Sequence, residues 1–215
     1  MLKVKRFIFN NFEENTYIAF DSETKQGAII DPGMLLGHER KAIDDFIAEN
    51  GIKLNQIILT HAHLDHCFGV EYVKTHYGTP IKAHEKDAPL VSALNSQAMR
   101  FGMINLFQKG FDVDIKLNEG DEVKIGDSCL TVLHLPGHSP GGMVLYDKAD
   151  KLAFVGDSIF ESSIGRTDLE GGDYKTLINS LKTKVLTLPD DTILLSGHGE
   201  PTTVAREKKY NPYLV

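Results

Sequence analysis

Residues 57–66 of the chain read Ile-Ile-Leu-Thr-His-Ala-His-Leu-Asp-His, an apolar run that leads directly into three histidines and an aspartate. The apolar part predicts a buried strand. Side chains two residues apart in an extended segment share a face, so His61 and His63 can point the same way. Asp65 and His66 follow one turn later and can address a second position. Imidazole and carboxylate donors at this spacing indicate a metal site, and the absence of a cysteine ligand favours a hydrolytic metal over a structural zinc.

The same order, an apolar strand followed by a metal-competent side chain, occurs three more times along the chain. The strands and donors are Leu133–Leu135 with His138, Leu152–Val155 with Asp157, and Ile193–Leu195 with His198, each donor directly preceded by glycine. Loops at one edge of a rigid sheet commonly carry catalytic residues, and glycine allows the sharp turns that bring such side chains together. We therefore predict that these three donors converge on the four donors of residues 61–66.

Seven donors are too many for one cation, so the pattern predicts two divalent metal ions, which in known pairs lie about 3.5–4 Å apart with a bridging carboxylate. Asp157 is the predicted bridge because it is the only carboxylate delivered by its own strand. Zinc is the favoured metal, and iron or manganese would accept the same ligands. Such a pair activates a water for attack on a carbonyl carbon, and we expect Asp65 to orient that water as the catalytic carboxylate. Thr60 and Ser196 are expected to support the ligands with hydrogen bonds.

Composition restricts the class of protein. A chain of 215 residues with 41% hydrophobic content can bury one substantial core, so residues 1–215 are predicted to form a single domain. No apolar run reaches the about 20 residues of a membrane span, and the N-terminal residues do not read as a signal peptide. Two cysteines predict a reduced, cytoplasmic setting. A net charge of −7 argues against a nucleic-acid partner, while the oligomeric state is left open.

The hydrophobic pattern predicts strands in both halves of the chain, with helices between them. The predicted strands are Val4–Phe9, Thr16–Phe20, Gly27–Ile30, Gln56–Leu59, Pro80–Ala83, Val123–Ile125, Leu130–Leu135, Met143–Tyr146, Leu152–Val155 and Thr192–Leu195. The predicted helices are His38–Asn50, Leu64–Tyr77, Asp173–Lys184 and Val204–Lys209, and residues 84–111 combine helix and loop. This order favours two sheets covered by helices.

The donors and their flanking residues resemble the metallo-β-lactamase superfamily, whose signature His-x-His-x-Asp-His stands at residues 61–66. Its remaining ligands match His138 in Pro-Gly-His-Ser-Pro-Gly, Asp157 in Gly-Asp-Ser and His198 in Ser-Gly-His-Gly. The resemblance implies an α+β fold, a four-layer αββα sandwich with the metals at one edge of the two sheets. It also implies the distribution of ligands: His61, His63 and His138 on one metal, Asp65, His66 and His198 on the other, and Asp157 between them.

Within the superfamily, residues 156–168 and 197–203 resemble the glyoxalase II group, which hydrolyses S-acylglutathione thioesters such as S-lactoylglutathione. The resemblance implies a small-molecule thioester as the substrate and no nucleic-acid or membrane partner. Arg166 matches a basic residue that contacts glutathione in the group, although Asp168 stands where many relatives have tyrosine. The helical domain with which full-length glyoxalase II helps to bind glutathione has no counterpart here, so the chain most resembles the short, single-domain bacterial members.

Two other activities on the same fold remain open. Persulfide dioxygenases also carry a Gly-Arg-Thr-Asp segment, found here at residues 165–168, but a cysteine usually precedes it where Ile164 stands. One mononuclear iron and oxygen uptake would mark that activity. Nucleases of the superfamily usually add a long arm for nucleic acid, for which this acidic chain has no room.

Overall fold

The computed structural model describes all 215 residues. The strands are β1 (Leu2–Phe9), β2 (Glu14–Asp21), β3 (Gln26–Ile30), β4 (Lys53–Ile58), β5 (Ile81–His84), β6 (Ile115–Leu117), β7 (Glu122–Ile125), β8 (Ser128–His134), β9 (Met143–Asp147), β10 (Leu152–Gly156), β11 (Ile159–Phe160), β12 (Ser163–Ile164), β13 (Ile193–Ser196) and β14 (Thr202–Thr203). The α-helices are α1 (Gly37–Asn50), α2 (Val70–Tyr77), α3 (Ala88–Ser92), α4 (Leu94–Arg100), α5 (Tyr174–Ser180) and α6 (Val204–Tyr210). None of these helices combines the length and apolarity that crossing a membrane requires.

The strands form two six-stranded mixed sheets and one separate hairpin. The first sheet has the order β1-β2-β3-β4-β5-β6, antiparallel from β1 to β3 and parallel from β3 to β6. The second has the order β14-β13-β10-β9-β8-β7, in which only β10 and β13 run parallel. Strands β11 and β12 form the hairpin.

Successive side chains of a strand point to opposite faces of its sheet, and the buried apolar residues accordingly form three clusters. In β3, Ile29 belongs to a cluster with the buried residues of α1 and α2, whereas Ala28 and Ile30 belong to the cluster between the sheets. In the second sheet, Leu145 joins the cluster between the sheets, and Val144 joins the cluster with α5. Helices therefore cover the outer face of each sheet, and the predicted four-layer αββα sandwich is confirmed.

The predicted helix Leu64–Tyr77 is wrong in its first part. A single 3-10 turn spans Leu64–His66, and α2 begins only at Val70. The break lies where Gly69 packs against an adjacent loop, with its N–H donating to the Pro32 carbonyl at 2.7 Å. His66 therefore lies in the turn and not on the helix, with its Nε2 atom 3.4 Å from Asp157 Oδ1 at the end of β10.

Other differences concern short elements. The predicted helix Asp173–Lys184 is α5 followed by one π-helical turn over Leu181–Val185. Strands β6, β11, β12 and β14 were not predicted, because two or three residues carry too little alternation to be recognised. Each of them still completes a sheet edge or forms the hairpin.

A buried carboxylate, Asp87, connects the loops that leave the two sheets. Its Oδ2 accepts hydrogen bonds from the Ala62 N–H and the Ser139 hydroxyl, both at 2.9 Å, and its Oδ1 accepts from the Gly141 N–H at 2.5 Å. Only glycine fits at position 141, since a Cβ there would lie 2.8 Å from the Asp87 carboxyl carbon. Burial raises the pKa of Asp87, and these three donors oppose that effect. The carboxylate thus fixes residues 61–63 of one sheet against residues 138–141 of the other.

We expect Asp87→Asn to lower the free energy of unfolding by about 1–3 kcal/mol, because the amide offers one acceptor oxygen instead of two and leaves a buried donor unpaired. In a chain of this size, each kcal/mol corresponds to a fall in Tm of about 2–4 °C. Thermal and urea unfolding would measure the change. Asp190→Asn is the control, since Asp190 is exposed and pairs only with Lys208; equal midpoints for both variants would contradict the assignment.

Candidate metal centre

The loops after four strands of the two sheets bring the predicted donors together. β4 leads to His61 and His63, β8 to His138, β10 to Asp157, and β13 to His198. The approach is close enough to require glycine before His198: a Cβ on Gly197 would lie 2.1 Å from Asp157 Oδ1. The 3-10 turn after His63 adds Asp65 and His66 to the same place.

His61, His63 and His138 form the first donor group. They are buried, and one ring nitrogen of each lies within 4.8 Å of the others. The His63 Nδ1 and His138 Nε2 atoms are 2.9 Å apart. Burial, together with the neighbouring imidazoles, holds the pKa of His61 well below its ordinary value and lowers the pKa of His63 to about 3. These two rings are therefore neutral at physiological pH, the form in which imidazole binds a metal.

Asp65, His66 and His198 form the second donor group, also within 4.8 Å of one another. Asp65 Oδ2 lies 3.1 Å from His198 Nε2 and 3.6 Å from His66 Nε2. Burial alone would lower the pKa of both imidazoles, but the carboxylates of Asp157 and Asp65 outweigh it. They raise the pKa of His66 well above its ordinary value and that of His198 to about 10. A cation that binds this group at neutral pH would therefore compete with protons on these imidazoles.

Asp157 lies between the two groups. Its Oδ1 is 3.4 Å from His66 Nε2, and its Oδ2 is 3.8 Å from His138 Nε2 and 3.4 Å from His198 Nε2. Burial opposes its ionisation, but His66 and His198 hold its pKa well below the ordinary value. The ionised carboxylate of Asp157 thus faces members of both groups, which is the position expected of a ligand shared by two metals.

The orphaned atoms of the cluster fit a pair of metal ions. Five buried atoms of the predicted ligands have no hydrogen-bond partner: the Nε2 atoms of His61, His63 and His66, His66 Nδ1, and Asp157 Oδ1. Leaving a buried polar atom unpaired costs about 1–3 kcal/mol, so several in one place call for a ligand. Nitrogen and carboxylate donors without cysteine suit Zn²⁺, Fe²⁺ or Mn²⁺.

Oxygen atoms of the chain face the outer side of several rings. His138 Nδ1 lies 2.8 Å from the Arg166 carbonyl oxygen, and His198 Nδ1 lies 2.9 Å from that of Phe12. Each contact fixes the ring orientation and leaves Nε2 free to face the centre, as outer-shell partners of metal-binding histidines do. The sequence carries no signal for either contact, because main-chain carbonyls have no residue preference.

Asp31 supports both donor groups at once. Its Oδ2 lies 3.2 Å from His66 Nδ1 and accepts the Thr60 hydroxyl at 2.5 Å, while its Oδ1 accepts the Thr60 N–H at 2.7 Å. The Thr60 hydroxyl in turn lies 3.1 Å from His61 Nδ1. The sequence analysis did not single out Asp31, although it follows strand β3 in the same way that the donors follow their strands. That repetition was the available signal.

The expected supporting role is seen for Thr60 and not for Ser196. The Ser196 hydroxyl donates to the Ile159 carbonyl at 2.7 Å and contacts no predicted ligand. Its hydrogen bond instead fastens β13 to the hairpin that precedes Arg166.

A cavity of about 230 Å³ opens above the donor groups. Its lining consists of Phe12, His63, Asp65, Phe101, His138, Asp157, Arg166, Leu169 and His198. The exposed Arg166 guanidinium stands at its rim and donates two hydrogen bonds of 2.7 Å to Asp168. A larger and more open groove, about 600 Å³ between α1, α2 and residues 107–109, contains none of the predicted ligands.

Comparisons with known proteins agree with this geometry. The family model of the metallo-beta-lactamase superfamily matches residues 12–198. A curated relative from Haemophilus influenzae, named hydroxyacylglutathione hydrolase GloC, is 42% identical over 94% of this chain and 93% of its own.

Two solved structures are also similar over nearly the whole chain. The crystal structure of BLEG-1 B3 metallo-beta-lactamase has a TM-score of 0.89 and 32% identity, covering 99% of this chain and 100% of that one. The structure of TTHA1623 in a di-iron-bound form has a TM-score of 0.85 and 34% identity, covering 98% and 100%. With its sandwich fold and its strand-end donors, the chain belongs to the metallo-beta-lactamase superfamily.

Proposed function

We propose that the chain is a binuclear metal hydrolase that cleaves thioesters of the S-acylglutathione type, such as S-lactoylglutathione. The observation that carries the proposal is the pair of donor groups, joined by Asp157, at the floor of a cavity of about 230 Å³. The 42% identity to a relative named hydroxyacylglutathione hydrolase supports the thioester class of substrate.

The proposed ligands follow the two donor groups. One metal is assigned to His61, His63 and His138, the other to Asp65, His66 and His198, and Asp157 is assigned to both. Zinc is the proposed metal, since this ligand chemistry suits it. Iron is retained as the alternative, because a similar structure at 34% identity is described as di-iron-bound.

When bound, the two cations would supply a water that ionises near neutral pH and a positive charge close to the thioester carbonyl. Asp65 lines the cavity, and its carboxylate can accept a hydrogen bond from the attacking water and orient it. Although burial opposes this, His66 and His198 keep the pKa of Asp65 below its ordinary value, so it remains an acceptor. Phe12 and Phe101 line the same cavity beside these groups.

Hydrolysis forms a C–O bond and breaks the C–S bond, giving a carboxylate and a thiol. The leaving thiolate has a pKa near that of free cysteine, about 8.5, and departs without prior protonation. The site therefore needs no separate general acid, and none lines the cavity besides the proposed ligands. An amine leaving group would need a proton, so we expect a β-lactam to be hydrolysed more slowly than a thioester.

We further propose that residues 1–215 act as one domain in a reducing compartment such as the cytoplasm. Neighbouring residues of the same strands belong to different apolar clusters, so the clusters share their strands and support a single domain. The two free cysteines, Cys67 and Cys129, support the reducing compartment.

The central test combines metal analysis of the purified protein with an assay of thiol release from S-lactoylglutathione. We expect about two equivalents of metal and thiol release that is lost on chelation. His198→Asn should lose metal and lower kcat/KM by more than the about 10–100-fold that outer-shell substitutions cost. His76→Asn, which changes an exposed histidine outside the site, should leave both unchanged. One iron per chain, with oxygen uptake on glutathione persulfide and no thiol release, would instead establish the dioxygenase alternative.

Asp31→Asn should weaken metal binding by about 10–100-fold, because it removes the carboxylate that faces His66 and holds Thr60 against His61. Competition with a chromogenic chelator would measure the affinity without any assay of turnover. Asp147→Asn is the matched control: this buried aspartate accepts only the N–H groups of its own turn. Equal affinities in the two variants would show that Asp31 is not a support of the metal ligands.

Arg166→Ala should raise KM for S-lactoylglutathione by about two- to fivefold with little change in kcat, as expected for an exposed ion pair with a substrate carboxylate. Asp168→Asn should act in the opposite direction, because it releases the guanidinium from its present partner. Steady-state kinetics of both variants would separate these effects. If neither KM changes, Arg166 only braces its loop.

A further inference from the structure

His198 follows a strand of the second sheet, but side chains and main chain of the first sheet hold its loop. The loop comes directly after β13, and Glu14 of β2 forms an isolated antiparallel bridge with His198. Beside this bridge, the Asn15 N–H donates to the Gly197 carbonyl at 2.7 Å. The two sheets therefore contact each other through main-chain atoms next to a predicted metal ligand.

The side chain of Asn15 spans the main chain on both sides of His198. Its Nδ2 donates to the Ser196 carbonyl at 2.9 Å and to the Gly199 carbonyl at 2.8 Å. Since only the nitrogen of an amide can donate, these two oxygens fix the orientation of the side chain. Its Oδ1 is buried without a hydrogen-bond partner, so the side chain acts through its two donated bonds.

Two further side chains of the first sheet bind the same carbonyls. The Tyr17 hydroxyl donates to the Ser196 carbonyl at 2.7 Å, and Arg6 Nη1 donates to the Gly199 carbonyl at 2.7 Å. Both carbonyls that flank the predicted ligand thus accept a pair of bonds from β1 and β2. The bonds to Ser196 are buried, so water does not readily replace a donor that is removed there.

The other predicted ligands do not depend on these bonds. Asp87 holds the loops of the first donor group, and Asn15 contacts none of them. Asp157 follows β10, whose contact with the His198 loop is a main-chain bond, from the Gly197 N–H to the Gly156 carbonyl at 2.8 Å. Loss of the Asn15 amide would therefore loosen one ligand of the centre and leave the first donor group in place.

We propose that Asn15 and Tyr17 are positioning residues of His198 and set the affinity of the second metal, the one assigned to the donor group of His198, without affecting the first. A ligand that is already held in its binding geometry loses little freedom when the metal binds, so loosening it lowers the affinity. The inference rests on the binuclear centre of the proposed function. It goes beyond that function because neither residue is a predicted ligand or lines the cavity.

The test resolves the two steps of Zn²⁺ binding by competition with a chromogenic chelator. His198→Asn identifies the second step, since it is the step that this substitution removes. We expect Asn15→Ala to weaken that step by about tenfold or more and to leave the first step unchanged. In the His198→Asn protein, Asn15→Ala should have no further effect on metal binding, because two changes that act through the same ligand are not additive.

A second variant and a matched control separate positioning from general stability. Tyr17→Phe removes one hydroxyl and keeps the ring that packs edge to face against Phe154, so it remains informative if Asn15→Ala folds poorly. It should weaken the second step severalfold. Gln56→Ala is the control, because the buried Gln56 amide also joins the two sheets, donating to the Lys124 carbonyl at 2.8 Å, but no predicted ligand flanks that carbonyl. It should keep both steps.

Electron paramagnetic resonance of Mn²⁺ gives a spectroscopic readout of the same difference. At equal loading, the unmodified protein should show a magnetically coupled pair, and Asn15→Ala a single bound ion. Equal weakening of both steps by Asn15→Ala and Tyr17→Phe, no weakening of either step, or a matching loss in Gln56→Ala would overturn this inference alone. Failure of the unmodified protein to bind a second metal would overturn the proposed binuclear centre and the inference with it.

Discussion

The proposed centre depends on holding nitrogen and oxygen atoms close together, several of them buried and without hydrogen-bond partners. Buried polar atoms without partners are unfavourable, and here they come from distant parts of the chain. In the first donor group, burial lowers the pKa of His61 and His63, so these two imidazoles stay neutral. In the second, carboxylates and protonated imidazoles compensate one another. A shared cation pair would satisfy both arrangements together.

Two further carboxylates, those of Asp87 and Asp31, hold the predicted ligands in position through hydrogen bonds. Asp87 joins the loop of residues 61–63 to the loop that carries His138, so donors from different sheets keep a fixed separation. Asp31 contacts His66 of the second group directly, and it contacts His61 of the first group through the Thr60 hydroxyl. The sandwich brings strand ends to a common edge, and these buried acids then fix the distances between side chains.

Much of this arrangement could be predicted from the sequence, because strand-end donors combine a hydrophobic pattern with a chemically distinctive residue. That combination indicates His138, Asp157 and His198 from the sequence alone. The carbonyls that orient the rings could not be found in this way, since every residue carries one. The helix expected over Leu64–Tyr77 failed for a related reason: its apolar periodicity continues through Gly69, and only a loop distant in sequence shows that the helix must break there.

Phe12 contributes both to the support of a predicted metal ligand and to the lining of the cavity. Its carbonyl oxygen orients His198, and its ring packs against Phe101 in the wall of the cavity. Position 101 therefore contacts, through the Phe12 ring, the residue whose carbonyl orients His198. Sequence divergence in the lining of the cavity should therefore be more constrained at position 101 than at position 169, because a change at position 101 also removes packing from the residue that supports His198.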